Sequence, residues 1–431
     1  MTFLPGVRLR ATLLFVCLAL VAGCTRADRG PAPPTISVLL PPSERPFWEP
    51  IARSFEAAHP GAHVELVEGP QATDLRENVY AASLLARDAT FDLVYLDVTW
   101  TAKFAAAGWL RTLDASFPDS MRAQFLAPAW SAGEFHGHLY RVPVRTDMGL
   151  LLYRKDLLDS AGVAPPATYD QLATAAERLS HPPGRWGYVW QGAQYEGLVC
   201  NFLEVLTGYG GYWIDPSTDD IGLDDPQAVS AAAFLARCAQ GRTISPPGVT
   251  TDQEEQSRRV FQDGRAVFLR CWPYAYRLSQ QEGSPLVGRV GAILMPYAPG
   301  GHPAGTLGGW GLGVSRYSRR PDLAIEFVRH AVSPESQRAL CAPTGYAPAL
   351  NSAYHDPELL AANPFLTRFR ALHDHVVPRP DIPRYAQASD ILQRHLSAAL
   401  AGMDDPKHAM EEAAQETRLL IGPRHPPRVD G

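Results

Sequence analysis

The 431-residue sequence has little that would place it in a membrane or on nucleic acid. Only residues 1–23 are apolar enough to meet a bilayer, which excludes a polytopic membrane protein. Against 45 Asp and Glu stand only 39 Lys and Arg, for a net charge of −6. No basic face is large enough to neutralise a phosphate backbone, so no nucleic-acid partner is expected. Cysteine is scarce, six in all, and its spacing matches no metal pattern. The signatures H-E-x-x-H, G-x-S-x-G and G-x-x-x-x-G-K-[ST] do not occur, which argues against the hydrolases and nucleotide-binding proteins that carry them. Gly308, Gly309, Gly311 and Gly313 have the wrong spacing for a dinucleotide fingerprint, and Trp310 between them would crowd a phosphate. The thirteen histidines are scattered, and His373 and His375 read as exposed residues at a helix end. No metal, cofactor or catalytic residue is expected. Carboxylates are plentiful, but the separation that makes two of them a hydrolytic pair belongs to the tertiary structure. What the chain does have is apolar mass. With 46% hydrophobic, 10% aromatic and 19% charged residues, it is no disordered chain, and its length calls for two or more lobes with sizeable cores.

The first segment reads as an address. Arg8 and Arg10 precede the apolar run Ala11–Val21, and Val21-Ala22-Gly23-Cys24 follows, the pattern of an export signal over residues 1–23. Those last four residues resemble the lipobox of bacterial lipoproteins. The resemblance implies a lipid such as palmitate on Cys24, an N-terminal lipid anchor, and an exported protein held to the cell envelope. Removing the signal deletes two Arg and no acid, moving the net charge to −8. Residues 24–34, rich in proline, then form a flexible tether. Four cysteines remain, Cys200, Cys238, Cys271 and Cys341. Buried thiols and one bridge both fit them.

Along the mature chain, Ile36–Leu40 has the pattern of a buried strand. Phe47, Ile51 and Phe55 mark a helix that Pro60-Gly61 ends. His63–Val67 alternates as a strand, Leu75, Val79 and Ala82 mark another helix, and Phe91–Leu96 is a buried strand ending at Asp97. Alternating strand and helix predicts an α/β lobe with a mostly parallel sheet, whose ligands sit beyond the carboxyl ends of the strands. Val142–Asp147 is expected to cross into a second, more helical region. There Thr168 and Gln171 form a capping box, strands fall near 188–191 and 266–269, and helices near 197–206, 226–239 and before Asp263-Gly264. Thr306–Ser315 reads as a strand returning to the first lobe. Pro321 and Ser333-Pro334 open two helices, and helices near 386–400 and 406–420 close the chain. The fold class is therefore α/β in two lobes. The first is expected at 35–143 plus 305–347, the second at 144–304 plus 348–431.

Six segments are similar to one family, the solute-binding proteins of bacterial ABC sugar importers, in its trehalose/maltose-binding branch. They are Phe91–Leu110, Val142–Leu158, Trp190–Gly211, Trp272–Tyr276 (WPYAY), Thr306–Val328 and Pro378–Leu392 (PRPDIPRYAQASDIL), in the family's order. The resemblance implies a type II-like periplasmic-binding fold whose lobes close over one carbohydrate by hinge motion. It also implies delivery to a membrane permease driven by a separate ATPase, by a monomer. Sugar capture suits these residues independently, since carboxylates accept two hydroxyls each, Arg forks donate in fixed geometry, and aromatic rings cover C–H faces. By resemblance, Glu44, Asp97 and Asp147 would accept sugar hydroxyls, with Trp100 close to Asp97, and Arg76 and Arg379 would donate. Trp272 would stack on a ring, Gly309 would admit the ligand to the backbone beside Trp310, Tyr195 and Glu196 would line the second lobe, and Tyr346 would stand near. One departure is Arg145, where the family often has an aromatic residue. It would favour a phosphorylated or acidic sugar or a glycerophosphodiester, or else it pairs with an acid. A secreted carbohydrate-active hydrolase is the remaining alternative.

Overall fold

Residues 33–181, 183–241 and 244–422 are described by a computed structural model. The export signal, Cys24 and all but the end of the tether lie outside them. The strands, in chain order, are β1 (Thr35–Leu40), β2 (His63–Glu68), β3 (Leu93–Asp97), β4 (Glu134–Phe135), β5 (His138–Leu139), β6 (Val142–Met148), β7 (Leu150–Arg154), β8 (Trp186–Val189), β9 (Ala266–Cys271), β10 (Val290–Ile293), β11 (Gly305–Val314), β12 (Ala347–Pro348) and β13 (Val376–Val377).

The first three strands alternate with the helices Arg45–Ala58 and Thr73–Leu85, and β1 pairs with β2 and β3 in parallel. Parallel neighbours joined through a helix are what strand–helix–strand repeats produce. The returning β11 enters antiparallel between β3 and β6. The first sheet has the order β12-β6-β11-β3-β1-β2, with β13 on the start of β11. A second sheet runs β10-β7-β9-β8. The faces of β7 alternate as a pleated strand must. Leu150 and Leu152 join one core, with Trp48, Tyr95 and Phe327. Leu151 joins the other, with Phe202, Leu235, Leu392 and Met410.

The local signals behave as their chemistry dictates. The capping box of Thr168 and Gln171 forms in both directions, and Ser333 caps its helix by accepting from the backbone of Ser336. Ala324, Phe327, Val328 and Ala331 are the buried face of the helix Pro321–Ala331. The helix Thr73–Leu85 exists, but its face is the reverse of the apolar pattern. Leu75 and Val79 are 57% and 37% exposed, while Arg76, Glu77, Tyr80 and Leu84 are buried. Arg76, Glu77 and Tyr80 take the inward positions that the aliphatic spacing offered. His373 is also buried rather than exposed, with Nε2 2.8 Å from Thr146 Oγ1. Burial pushes its pKa down to about 4. The four cysteines are buried free thiols.

The chain crosses between the sheets later than expected. Strand β6 pairs with β11 from Val142 to Met148, so residues 144–148 stay with the first sheet and the turn falls at Gly149. Beyond residue 348, Leu359, Phe365, Leu366 and Phe369 join a cluster that holds Trp48 and Tyr95 of the first sheet's side and Leu269 and Ala292 of the second sheet, whereas the helices Tyr385–Leu400 and Pro406–Ile421 join the other cluster. A third crossing therefore lies between β12 and Tyr385. Among the described residues no helix is long and apolar enough to cross a membrane.

Candidate functional site

The segment Leu307–Trp310 of β11 is the meeting point of the predicted residues. Trp310 lies opposite Asp97 on β3 and Arg145 on β6, and Gly308 lies opposite Asp147. On Gly308 a Cβ would approach the Trp272 ring to 3.0 Å and the Asp147 side chain to 3.1 Å. Arg379 reaches the same segment through Leu307 O, at 3.4 Å. Asp97, Asp147, Trp272 and Arg379 thus surround four consecutive residues of one strand. They come from the first sheet, the end of β9 in the second, and the third crossing.

Two clusters organise the charges. In the first, Arg145 is held between two acids: Nη2 donates to Glu44 Oε1 at 3.0 Å and Nη1 donates to Asp147 Oδ2. Its Nε donates to the Tyr95 hydroxyl at 3.2 Å, and that hydroxyl donates to Glu44 Oε2 at 2.9 Å. The guanidinium stacks 4.0 Å from the centroid of the Tyr346 ring. The positive charge that the sequence left unassigned is therefore answered twice over, and the trio carries a net charge of −1. Asp147 keeps one oxygen, Oδ1, buried and unpartnered. Its carboxyl is raised to about 6, because burial and the charges of Glu44 and Asp97 outweigh Arg145.

In the second cluster Arg379 is the bridge. Nη2 donates to Asp97 Oδ1 at 3.0 Å and Nη1 to Glu196 Oε1 at 2.7 Å. Glu196 also accepts from the hydroxyls of Tyr385 and Ser389. It therefore fixes Arg379 in place and is not an open acceptor. Asp97 Oδ1 accepts from Thr99 N at 3.1 Å as well, so it turns the chain at the end of β3 while facing the junction. Arg76 donates through Nη1 to the carbonyls of Pro70 and Gln71 and lies 4.5 Å from the centroid of the Trp310 ring, with Nε buried and unpartnered.

Three residues have surroundings that the sequence did not show. Gly309 has a φ of +137°, and a Cβ there would meet Arg145 O at 2.6 Å. It lets β11 lie against β6, and Gly308 is the glycine that faces Trp272. Trp100 is 2% exposed and packs behind the site, edge-on to Trp310 with centroids 5.5 Å apart. Trp310 is 8% exposed and is itself covered by Tyr95, Arg76 and Trp100. Both therefore support the wall more than they form it. Trp272 remains half-buried, with Nε1 donating to Glu254 Oε1 at 3.3 Å. Tyr195 is also half-buried.

Sequence reasoning missed Tyr95, Tyr385, Ser389, Glu254 and Gly308. Tyr95 was within reach, since it sits two residues before Asp97 on the same strand face. Tyr385 and Ser389 lie inside a segment already singled out. Glu254 opens the helix Glu254–Gln262 that immediately precedes β9, and no local pattern ties it to Trp272. Among the described residues no group of His, Cys, Asp and Glu could hold a metal ion.

Two α/β units, each with its own sheet, joined by three crossing segments and lined at the junction by acids, arginines and a half-buried indole, define a two-lobed binding protein. Residues 41–338 match the model of the bacterial extracellular solute-binding proteins, and the chain belongs to that family. A probable ABC transporter-binding protein of Deinococcus radiodurans is 35% identical over 374 residues, 84% of this chain and 87% of that one. The maltotriose-binding protein of Pyrococcus abyssi is 25% identical, over 87% of this chain and 78% of its own. Among solved structures, maltose-bound MalE3 of T. maritima superposes with a TM-score of 0.85 at 35% identity, covering 90% of this chain and 99% of that one. The GacH receptor of Streptomyces glaucescens shares the fold, with a TM-score of 0.79 at 24% identity, covering 90% and 98%.

Proposed function

We propose that this protein is the exported, lipid-anchored receptor of an ABC sugar importer, capturing a neutral maltose- or trehalose-like disaccharide and passing it unchanged to a membrane permease. One observation carries the reading. The Trp272 ring and the Asp147 Cβ close on Gly308, where any side chain larger than hydrogen would crowd both, and Asp147 Oδ1 is buried without a hydrogen-bond partner. A flat apolar face beside a desolvated acceptor is what a pyranose offers partners for: C–H groups for the indole and hydroxyls for the carboxylate. Asp97, Arg76 and Arg379 supply further acceptors and donors around it, Tyr195 lines the second lobe, and Glu44 and Glu196 hold the two arginines in position. The relatives named for maltose and maltotriose support the same class of ligand.

Closure is a population shift with no chemical step, driven by ligand contacts to both lobes. The lobes we assign are residues 35–148 plus 305–348 and residues 150–304 plus 385–421. An anionic ligand draws no support from Arg145, whose charge is taken up by Glu44 and Asp147. The test is a thermal-shift panel of neutral disaccharides, sugar phosphates and glycerophosphodiesters. A ligand at a hundredfold excess over its Kd should add about 2.7 kcal/mol of stability. A neutral saccharide should produce the shift and be recovered intact. If no saccharide moves the melting temperature, or if it is consumed, the reading fails.

A further inference from the structure

Behind the Trp272 indole lies a group that sugar contact alone leaves without a task. Arg270, on β9, and Glu204, on the helix Glu196–Gly208, form an ion pair with no side-chain exposure on either partner. Arg270 Nε donates to Glu204 Oε2 at 2.8 Å, Nη2 donates to Glu204 Oε1, and Nη1 donates to Gln191 Oε1 at 3.1 Å. The same guanidinium lies 4.3 Å from the centroid of the Trp272 ring. Glu204 Oε1 accepts in addition from the backbone N of Thr306, at 3.1 Å. Thr306 O in turn accepts from Gly149 N at 3.2 Å. A Cβ on Gly149 would fall 1.7 Å from Glu204 Oε1 and 2.5 Å from Arg270 Nη2. Two of the three segments that pass between the sheets, at 149 and at 305–306, therefore rest directly on this pair.

A buried ion pair is an expensive way to fill a core, since apolar residues of similar volume are often at least as stabilising. Its retention calls for a task that apolar residues cannot perform. The task visible here is geometric. A planar guanidinium with every edge bonded is a rigid plate, and an indole stacked on it cannot tilt.

We propose that Arg270 is a positioning residue for ligand binding: it fixes the Trp272 indole from its rear face and, through Glu204, ties that indole to the crossing strands. Placement of the stacking surface and the setting of the hinge are then one event. The inference rests on Trp272 being the sugar platform, and the experiment separates the two.

Binding of maltose, maltotriose and trehalose is measured calorimetrically for the parent chain, Arg270→Lys, Trp272→Ala and the double variant. Lysine keeps a charge for Glu204 but loses the plate. The expected result is affinity about tenfold weaker for Arg270→Lys. In the Trp272→Ala background the same change should have an effect of less than about twofold, because the indole it acts through is gone. An equal loss in both backgrounds, or no loss in the parent, overturns the proposal and leaves the sugar reading standing. Unchanged binding on Trp272→Ala removes the platform itself, and the proposal with it. If Arg270→Lys does not fold, Arg270→Met with Glu204→Met, which removes both charges together, gives the same comparison. The tie to the hinge is read with Gly149→Ala, whose methyl is driven into the pair. Sugar-induced compaction in X-ray scattering should shrink; full compaction with unchanged affinity overturns the tie.

Discussion

Asp147 shows how much of the site's behaviour depends on one side chain. Its carboxyl is raised to about 6, with burial the first cause. A raised value means that the folded state holds a proton that the unfolded state releases between about pH 4 and pH 6. Its contribution to stability is therefore full below the ordinary carboxylate range and is lost as pH rises through about 6. Binding has the opposite dependence, because a sugar hydroxyl donating to Oδ1 favours the ionised carboxylate. Affinity should fall between pH 7 and pH 5, by at most about tenfold per unit, and Asp147→Asn should flatten that profile in calorimetric titrations. Trp272 is the other decisive residue. Trp272→Ala should weaken disaccharide binding at least tenfold, about 1.4 kcal/mol, while an unchanged Kd would return the indole to the core. Arg145 teaches a different lesson. Its presence in place of an aromatic residue was plain in the sequence, but the two acids that neutralise it come from 101 and 2 residues away, and only folding brings the first of them close.

At the scale of elements, strand β11 is the axis of the site. Its glycines divide the work: Gly308 lets Trp272 and Asp147 pack onto the strand, whereas Gly309, at φ +137°, allows contact with β6. The pairing register shifts between Trp310 and Gly311, and such a bulge re-aims the side chains around it. Gly309→Ala should destabilise the fold by roughly 1–3 kcal/mol through backbone strain and the clash with Arg145 O. A drop in melting temperature in ligand-free protein would show it, and an unchanged one would mean that β6 can yield. The helix Thr73–Leu85 illustrates a competition between patterns. Its apolar spacing placed Leu75 and Val79 inward, yet Arg76 and Tyr80 are the residues taken into the interior. Tyr80 exchanges hydrogen bonds with the backbone of Leu39 and Tyr95, and Arg76 lies against Trp310. The hydrogen bonds of Tyr80 and the ring contact of Arg76 outweighed two aliphatic side chains.

For the molecule as a whole, the arrangement predicts motion. Three segments connect the lobes, and the charges of Arg379 span them, from Asp97 in the first to Glu196 in the second. Arg379→Met should therefore affect more than one sugar contact: it unlinks two acids at once and leaves both without their cation. Sugar affinity should fall by at least tenfold, and the sugar-dependent decrease in radius of gyration should be smaller than in the parent chain. A variant that binds and compacts normally would show that the bridge has no part in closure.

The sequence by itself determined the alternation of strands and helices, the helix caps, and the identity of the acids, arginines and indole gathered at the junction. These follow from periodicity, capping chemistry and a family pattern carried in six segments, all of which act over a few residues. Only the tertiary structure decided that β6 stays with the first sheet through Met148. It alone turned the helix Thr73–Leu85 over, took His373 inside and showed Arg145 to be neutralised. Each of those outcomes depends on groups distant in sequence competing for one buried volume, where strand pairing, charge compensation and desolvation are settled together and local pattern has no vote.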